Sequence, residues 1–153
     1  LAANLKTLRI EAFKKEHLDE VQAIEKVCQS APWSEASFRN ELDSPQSIFL
    51  VALMGGKPVG YGGAWILADE AHITTLAVHP DHRREGLARR LMDAILEEAV
   101  KRDAVCSTLE VRAGNTGAIQ LYEAMGYVQA GVRKGYYPDN REDAVIMWKH
   151  DLS

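Results

Sequence analysis

The alternation of apolar and polar positions divides this chain into short strands and helices. Residues 8–13 read as a first strand. Over 16–28, Leu18, Val21, Ile24, Glu25 and Cys28 recur at steps of three and four, the spacing of one helical face. Ala31-Pro32-Trp33-Ser34 is a break, and Ser34 is placed to cap a second short helix over 37–42. Residues 47–54 (SIFLVALM) form an apolar strand, Gly55-Gly56-Lys57-Pro58 a turn, and 59–67 the returning strand of a hairpin. Residues 70–78 make a further strand. The clearest helix runs over 86–102, with Leu87, Leu91, Ile95 and Ala99 on one stripe and charges opposite. A strand follows over 105–112. Asn115 is placed to cap a helix over 116–125, which Gly126 ends. Two closing strands, 127–132 and 144–149, flank the loop 136–143.

This order is α/β with a mixed sheet: an antiparallel meander first, then a helical crossover joining strands expected to be parallel. No repeat or linker divides the chain, so one domain over 1–153 is expected. Hydrophobic residues make up 46% and charged residues 26% of the 153, ordinary for a globular protein. The net charge of −4 argues against a general nucleic-acid partner. The two cysteines, Cys28 and Cys106, lack metal-ligand spacing and read as reduced thiols, and no metal is expected. No signal-peptide pattern appears, and no apolar run reaches the ~18 residues of a membrane span. A cytoplasmic protein with no membrane partner is expected.

Against the acidic average stands His82–Arg90, HRREGLARR, where a strand runs through a basic turn into a helix. Free backbone N–H groups and the positive end of the helix dipole favour a bound anion there, most often a phosphate. Gly86 lets backbone approach a ligand, and Ala88 is small. Basic residues at a helix N-terminus oppose the dipole, a cost that an anion offsets; solvated arginines are the alternative. The turn lacks both the Gly-Lys-Ser/Thr ending of a Walker loop and the three glycines of a dinucleotide fingerprint.

A second group of polar residues lies further on. Strand alternation sends Leu109 and Val111 to one side, Glu110 and Arg112 to the other. Asn115 heads the next helix, and Tyr122, seven residues on, shares its face. A carboxylate, an amide and a phenol are thus expected to line one cleft. Taken singly, Glu110 also fits a solvated sheet position, Asn115 a cap, and Tyr122 core packing.

Together these residues resemble the GNAT acetyltransferase superfamily. Leu76-Ala77-Val78-His79-Pro80 followed by Arg83-x-x-Gly86-x-Ala88 is similar to its acetyl-CoA motif, with alanine where glycine is commoner. A narrower resemblance is to the branch that acetylates the N-terminal alanine of a small-subunit ribosomal protein. It rests on Pro32-Trp33-Ser34 with Phe38 and Glu41-Leu42, EAHITTLAV, LEVRAGN, AIQLYEAMG, GVRKGYYP and REDAVIM. Gly114 departs from that pattern, which has serine there; a local backbone effect is expected.

The resemblance implies the GNAT (acyl-CoA N-acyltransferase) fold, a mixed, mostly antiparallel sheet flanked by helices on both faces. It implies acetyl-CoA as cosubstrate, held by Leu76, Ala77 and Val78, by the turn Arg83, Arg84, Glu85, Gly86, Leu87, Ala88 and Arg89, and by Asn115 and Tyr122. Glu110 would be the general base and Tyr122 the general acid. Trp33, His72, Tyr136 and Tyr137 would contact the substrate, the N-terminus of a protein, with Glu70, Asp139, Glu142 and Asp143 attracting basic residues. Competing readings are acetylation of a lysine or small amine, and a non-catalytic acyl-CoA-binding module.

Overall fold

The computed structural model describes residues 7–152. Its seven-stranded sheet runs in the order β1-β2-β3-β4-β5-β7-β6. These strands are β1 (Leu8–Ala12), β2 (Ser47–Met54), β3 (Lys57–Leu67), β4 (Glu70–Val78), β5 (Cys106–Arg112), β6 (Val128–Arg133) and β7 (Ala144–Lys149). The helices are α1 (Leu18–Cys28), α2 (Glu35–Asp43), α3 (Leu87–Lys101) and α4 (Thr116–Ala124). Strands β1 to β4 form an antiparallel meander, β4 and β5 pair in parallel, and β7 runs antiparallel between β5 and β6. The mixed sheet and the parallel crossover are as the sequence predicts.

Alternation along the strands sorts the core into two faces. Phe49, Val51 and Tyr61 pack with Val21, Ile24 and Phe38 of α1 and α2. Ile48, Ala64, Leu109 and Val111 pack on the other face with Met92 and Ile95 of α3 and Tyr122 of α4. Helices therefore cover both faces, as expected. Local signals hold at several ends: the Ser34 hydroxyl accepts the Ser37 N–H at 3.1 Å, and Gly126 ends α4 at φ +95°. Most boundaries shift by one or two residues. The helix at Ser34 begins at Glu35, and β3 begins at Lys57, because Gly55 and Gly56, at φ +59° and +81°, complete the turn by themselves. Glu25, read from sequence as part of the apolar stripe of α1, is indeed buried there, but as a hydrogen-bonded carboxylate.

Candidate active site

The site begins where the parallel pair comes apart. Strands β4 and β5 are matched over Glu70↔Cys106, Ala71↔Ser107 and His72↔Thr108, and over no later pair. The closed end is pinned: the Ser107 hydroxyl donates to the Ala71 carbonyl at 2.8 Å and accepts the Tyr127 hydroxyl at 2.7 Å. Just past the last matched pair, β4 bulges. Gly63 lies opposite Thr75 and Ala64 opposite Ile73, so Thr74 is extra. A bulge adds twist and turns a strand away from its neighbour. The rest of β4, through Leu76, Ala77 and Val78, therefore borders a gap rather than a strand. The Val78 carbonyl faces away from β3, since it accepts from Arg83 Nε at 3.2 Å. By two-residue alternation, Leu76 presents its own backbone groups to the same open side.

Glu110 stands at the mouth of this gap. Its carboxylate oxygens lie 3.1 and 3.2 Å from His72 Nε2, and the Tyr136 hydroxyl reaches Oε1 at 3.4 Å. Its side chain is only 13% exposed. Tyr122 is on the other side of β5, buried among Leu109, Val111 and Tyr127. Burial, reinforced by Tyr127 and Tyr137, pushes its phenol well above the ordinary range. Glu110 and Tyr122 thus flank the gap from opposite faces of the sheet.

The basic turn lies at the far end of the gap. Arg84 and Gly86 take φ of +64° and +76°, and Gly86 is the N-cap of α3. Left-handed backbone at a non-glycine residue costs roughly 1–2 kcal/mol. A Cβ placed on Gly86 would meet no protein atom within 4 Å, so the turn is open. As at any helix N-terminus, the first N–H groups of α3 lack intrahelical acceptors. The arginines are not equivalent. Arg83 folds back onto the Val78 carbonyl and the Cys28 sulfur, and Arg89 reaches Asp93 at 3.6 Å. The Glu85 carboxylate, within the basic turn, is turned toward His82 at 3.5 Å.

The Acetyltransferase (GNAT) family model matches residues 18–127. A putative [ribosomal protein bS18]-alanine N-acetyltransferase of Bacillus subtilis is 39% identical over 89% of this chain and 91% of its own length. The [ribosomal protein bS18]-alanine N-acetyltransferase of Escherichia coli K12 is 39% identical over 81% of this chain and 84% of its own. The crystal structure of the Escherichia coli ribosomal-protein-S18-alanine N-acetyltransferase superposes with a TM-score of 0.85 at 34% identity, covering 92% of both chains. The chain belongs to the GNAT acetyltransferase family. It is an acetyl-CoA-dependent acetyltransferase. The open turn at Gly86, the N–H groups at the head of α3 and an edge of β4 that pairs with no strand among the described residues fit a long cosubstrate with a phosphate end.

For a GNAT enzyme the expected residues are brought together unevenly. Leu76–Val78 end β4, and the turn follows after a short 3-10 segment over Pro80–His82, with Arg83 bonded back to the Val78 carbonyl. Leu87 can offer only its backbone there, since the residue is 2% exposed in the core. Asn115 caps α4 with its carbonyl oxygen, 3.2 Å from the Ala118 N–H, so only its NH2 remains for a ligand. Trp33 packs on Phe38 and Phe49, with ring centroids 5.2 and 6.4 Å away, and belongs more to the core than to an open surface. His72 meets Glu110 rather than standing free. Asp139 and Glu142 are ion-paired with Arg112 at 3.0 and 3.2 Å, and Asp143 accepts from the Gly135 N–H. The loop carboxylates expected to attract a basic peptide are therefore engaged within the protein.

Two residues given no role by the sequence organise these surroundings. Glu25 accepts both the Tyr61 hydroxyl and the Trp33 N–H, fixing the 29–34 loop to the sheet. Arg112 gathers the 134–143 loop. Its position two residues beyond Glu110, on the same strand face, was the available signal. Gly114 has an explanation of space rather than backbone angle: a Cβ there would lie 2.8 Å from Glu142 Oε2.

Proposed function

We propose that this enzyme acetylates the α-amino group of a protein, namely the N-terminal alanine of a small-subunit ribosomal protein. The observation that carries the reading is the shielded Glu110 carboxylate, held by His72 and Tyr136 where β4 and β5 part. The curated relatives named for bS18 alanine acetylation, one of them covering 91% of its own length, supply the substrate.

The reaction requires a neutral amine, a stabilised oxyanion and a protonated leaving thiolate. An α-amino group has a pKa of about 7.7–8.0, so a carboxylate aided by histidine suffices to take its proton. Glu110 receives that proton, directly or through a water, and His72 fixes the carboxylate and shares the charge. Leu76 and Val78, on the open side of β4, offer N–H groups to the developing oxyanion. Tyr122 faces the departing sulfur. Burial keeps its phenol protonated at neutral pH, so it can donate to the departing thiolate. The nitrogen sheds its second proton as the amide forms, and Tyr122 regains one from solvent. The Leu87, Ala88 and Arg89 N–H groups hold the pyrophosphate, and Arg84 and Arg89 add charge at its edge. Asn115 binds the pantetheine arm through its NH2. Tyr136 and Tyr137 give rigid contact area for the peptide.

Assay of a lysine-containing hexapeptide beginning with alanine against the same peptide already N-acetylated tests the reading. Turnover is expected only with the free N-terminus. Equal turnover of the blocked peptide would overturn it in favour of lysine acetylation, and binding of CoA with no turnover of any amine would favour a non-catalytic module.

A further inference from the structure

Arg112 takes no part in the chemistry just described, yet its side chain joins two chain segments beside it. Nη2 donates to Asp139 Oδ2 at 3.0 Å and to Ser30 Oγ at 3.4 Å. Nη1 donates to Glu142 Oε1 and Asn140 Oδ1, each at 3.2 Å. The Tyr137 ring lies over the guanidinium carbon at 4.0 Å. The Ser30 hydroxyl donates to Asp139 at 2.6 Å and closes the link between the loop after α1 and the loop after β6. Glu142 extends the network to the head of α4 by accepting the Gly114 N–H at 2.9 Å.

The arrangement uses what only arginine supplies: a planar fork of five donors and a flat face for stacking. A single exposed ion pair contributes little, but here several acceptors on two loops share one cation. The consequence reaches the carboxylate at the gap. Tyr137 sets Tyr136 edge-on, with ring centroids 5.1 Å apart, and Tyr136 reaches Glu110. Asp139 and Ser30 tie the two loops to each other directly, at 2.6 Å.

We propose that Arg112 is the positioning residue of the peptide entrance. It holds the 29–34 and 134–143 loops to each other and sets the Tyr136–Tyr137 pair beside Glu110, without touching the reacting atoms. This rests on the reading that these loops receive a protein N-terminus. An incoming peptide meets walls that are already ordered, so the ordering cost is not charged to its binding.

Two readouts test it on the whole chain. In Arg112→Lys, KM for the alanine hexapeptide is expected to rise about tenfold, with kcat within about threefold and KM for acetyl-CoA unchanged. Hydrogen exchange without substrates is expected to accelerate in 29–34 and 134–143 together, while the β5–β7 amides stay protected. Ser30→Ala, which leaves the guanidinium in place, should shift peptide KM the same way by about threefold. An unchanged peptide KM in Arg112→Lys, a fall in kcat at constant KM, or native exchange rates in both loops would overturn the proposal. If the native chain turns over no peptide, the N-terminal acetylation reading fails, and the exchange measurement alone decides the role of Arg112.

Discussion

His72 Nε2 sits almost equidistant from the two oxygens of Glu110, at 3.1 and 3.2 Å, at the last matched pair before β4 and β5 separate. The pair is a product of register. His72 lies opposite Thr108, and Glu110 follows two residues later on the same face. The strand pairing that ends there also creates the space beside it.

Glu110→Gln should lower kcat/KM at neutral pH by about a hundredfold or more, the usual contribution of a positioned base. The deficit should shrink above about pH 8, where the α-amine is neutral without help. A pH–rate profile of both proteins checks this. A loss of the same size at every pH would contradict the base assignment.

Tyr122→Phe removes a buried hydroxyl that keeps its proton across the neutral range. Turnover is expected to fall by about a hundredfold with little change in KM for acetyl-CoA. Steady-state kinetics separate the two constants. Unchanged turnover would remove Tyr122 from the chemistry.

Gly86→Val tests the turn. The added side chain begins in open space and burdens the folded chain only through the backbone, at φ +76°. A loss of about 1–2 kcal/mol of stability is expected from that conformation. Ligand affinity should suffer more: Kd for CoA by calorimetry should rise over tenfold, with the pyrophosphate shut out. Unaltered CoA binding would place the pyrophosphate elsewhere.

Much of the architecture is written locally. Ser34, Asn115 and Gly126 announce helix ends, and two-residue alternation assigns strand faces. Glu110 and the basic turn stood out locally, because each sits in a run of residues with its own pattern, whereas the open edge of β4 entered only through the family resemblance. The long-range partners were not legible. Nothing in local spacing says that Ser30 meets Asp139, that Glu25 reaches Trp33, or that His72 turns to Glu110. Those contacts depend on loop paths and on where a parallel pair separates. Helical spacing put Tyr122 on the face of Asn115 but could not say that it approaches the gap from the other side of β5 from Glu110.

The loop network should respond to acid. Asp139 is held below the ordinary carboxylate range by the Ser30 hydroxyl and then Arg112, and Glu142 by the Gly114 N–H and then Arg112. Groups lowered on folding stabilise fully above their unfolded values and lose that contribution as pH falls through the folded ones. Carboxyl-carbon NMR titration should give midpoints below about 3.9 for Asp139 and about 4.3 for Glu142. Both should move up in Arg112→Gln. Midpoints at or above those values in the native chain would contradict the pairing.

The most direct measurement is fragment-mass mapping of the acetyl group on a peptide that begins with alanine and carries an internal lysine, after incubation with acetyl-CoA. The acetyl group should sit on the α-nitrogen of the alanine in the native protein, and its formation at neutral pH should collapse in Glu110→Gln. Acetylation on the lysine Nζ, or equal α-acetylation by Glu110→Gln, would contradict the account.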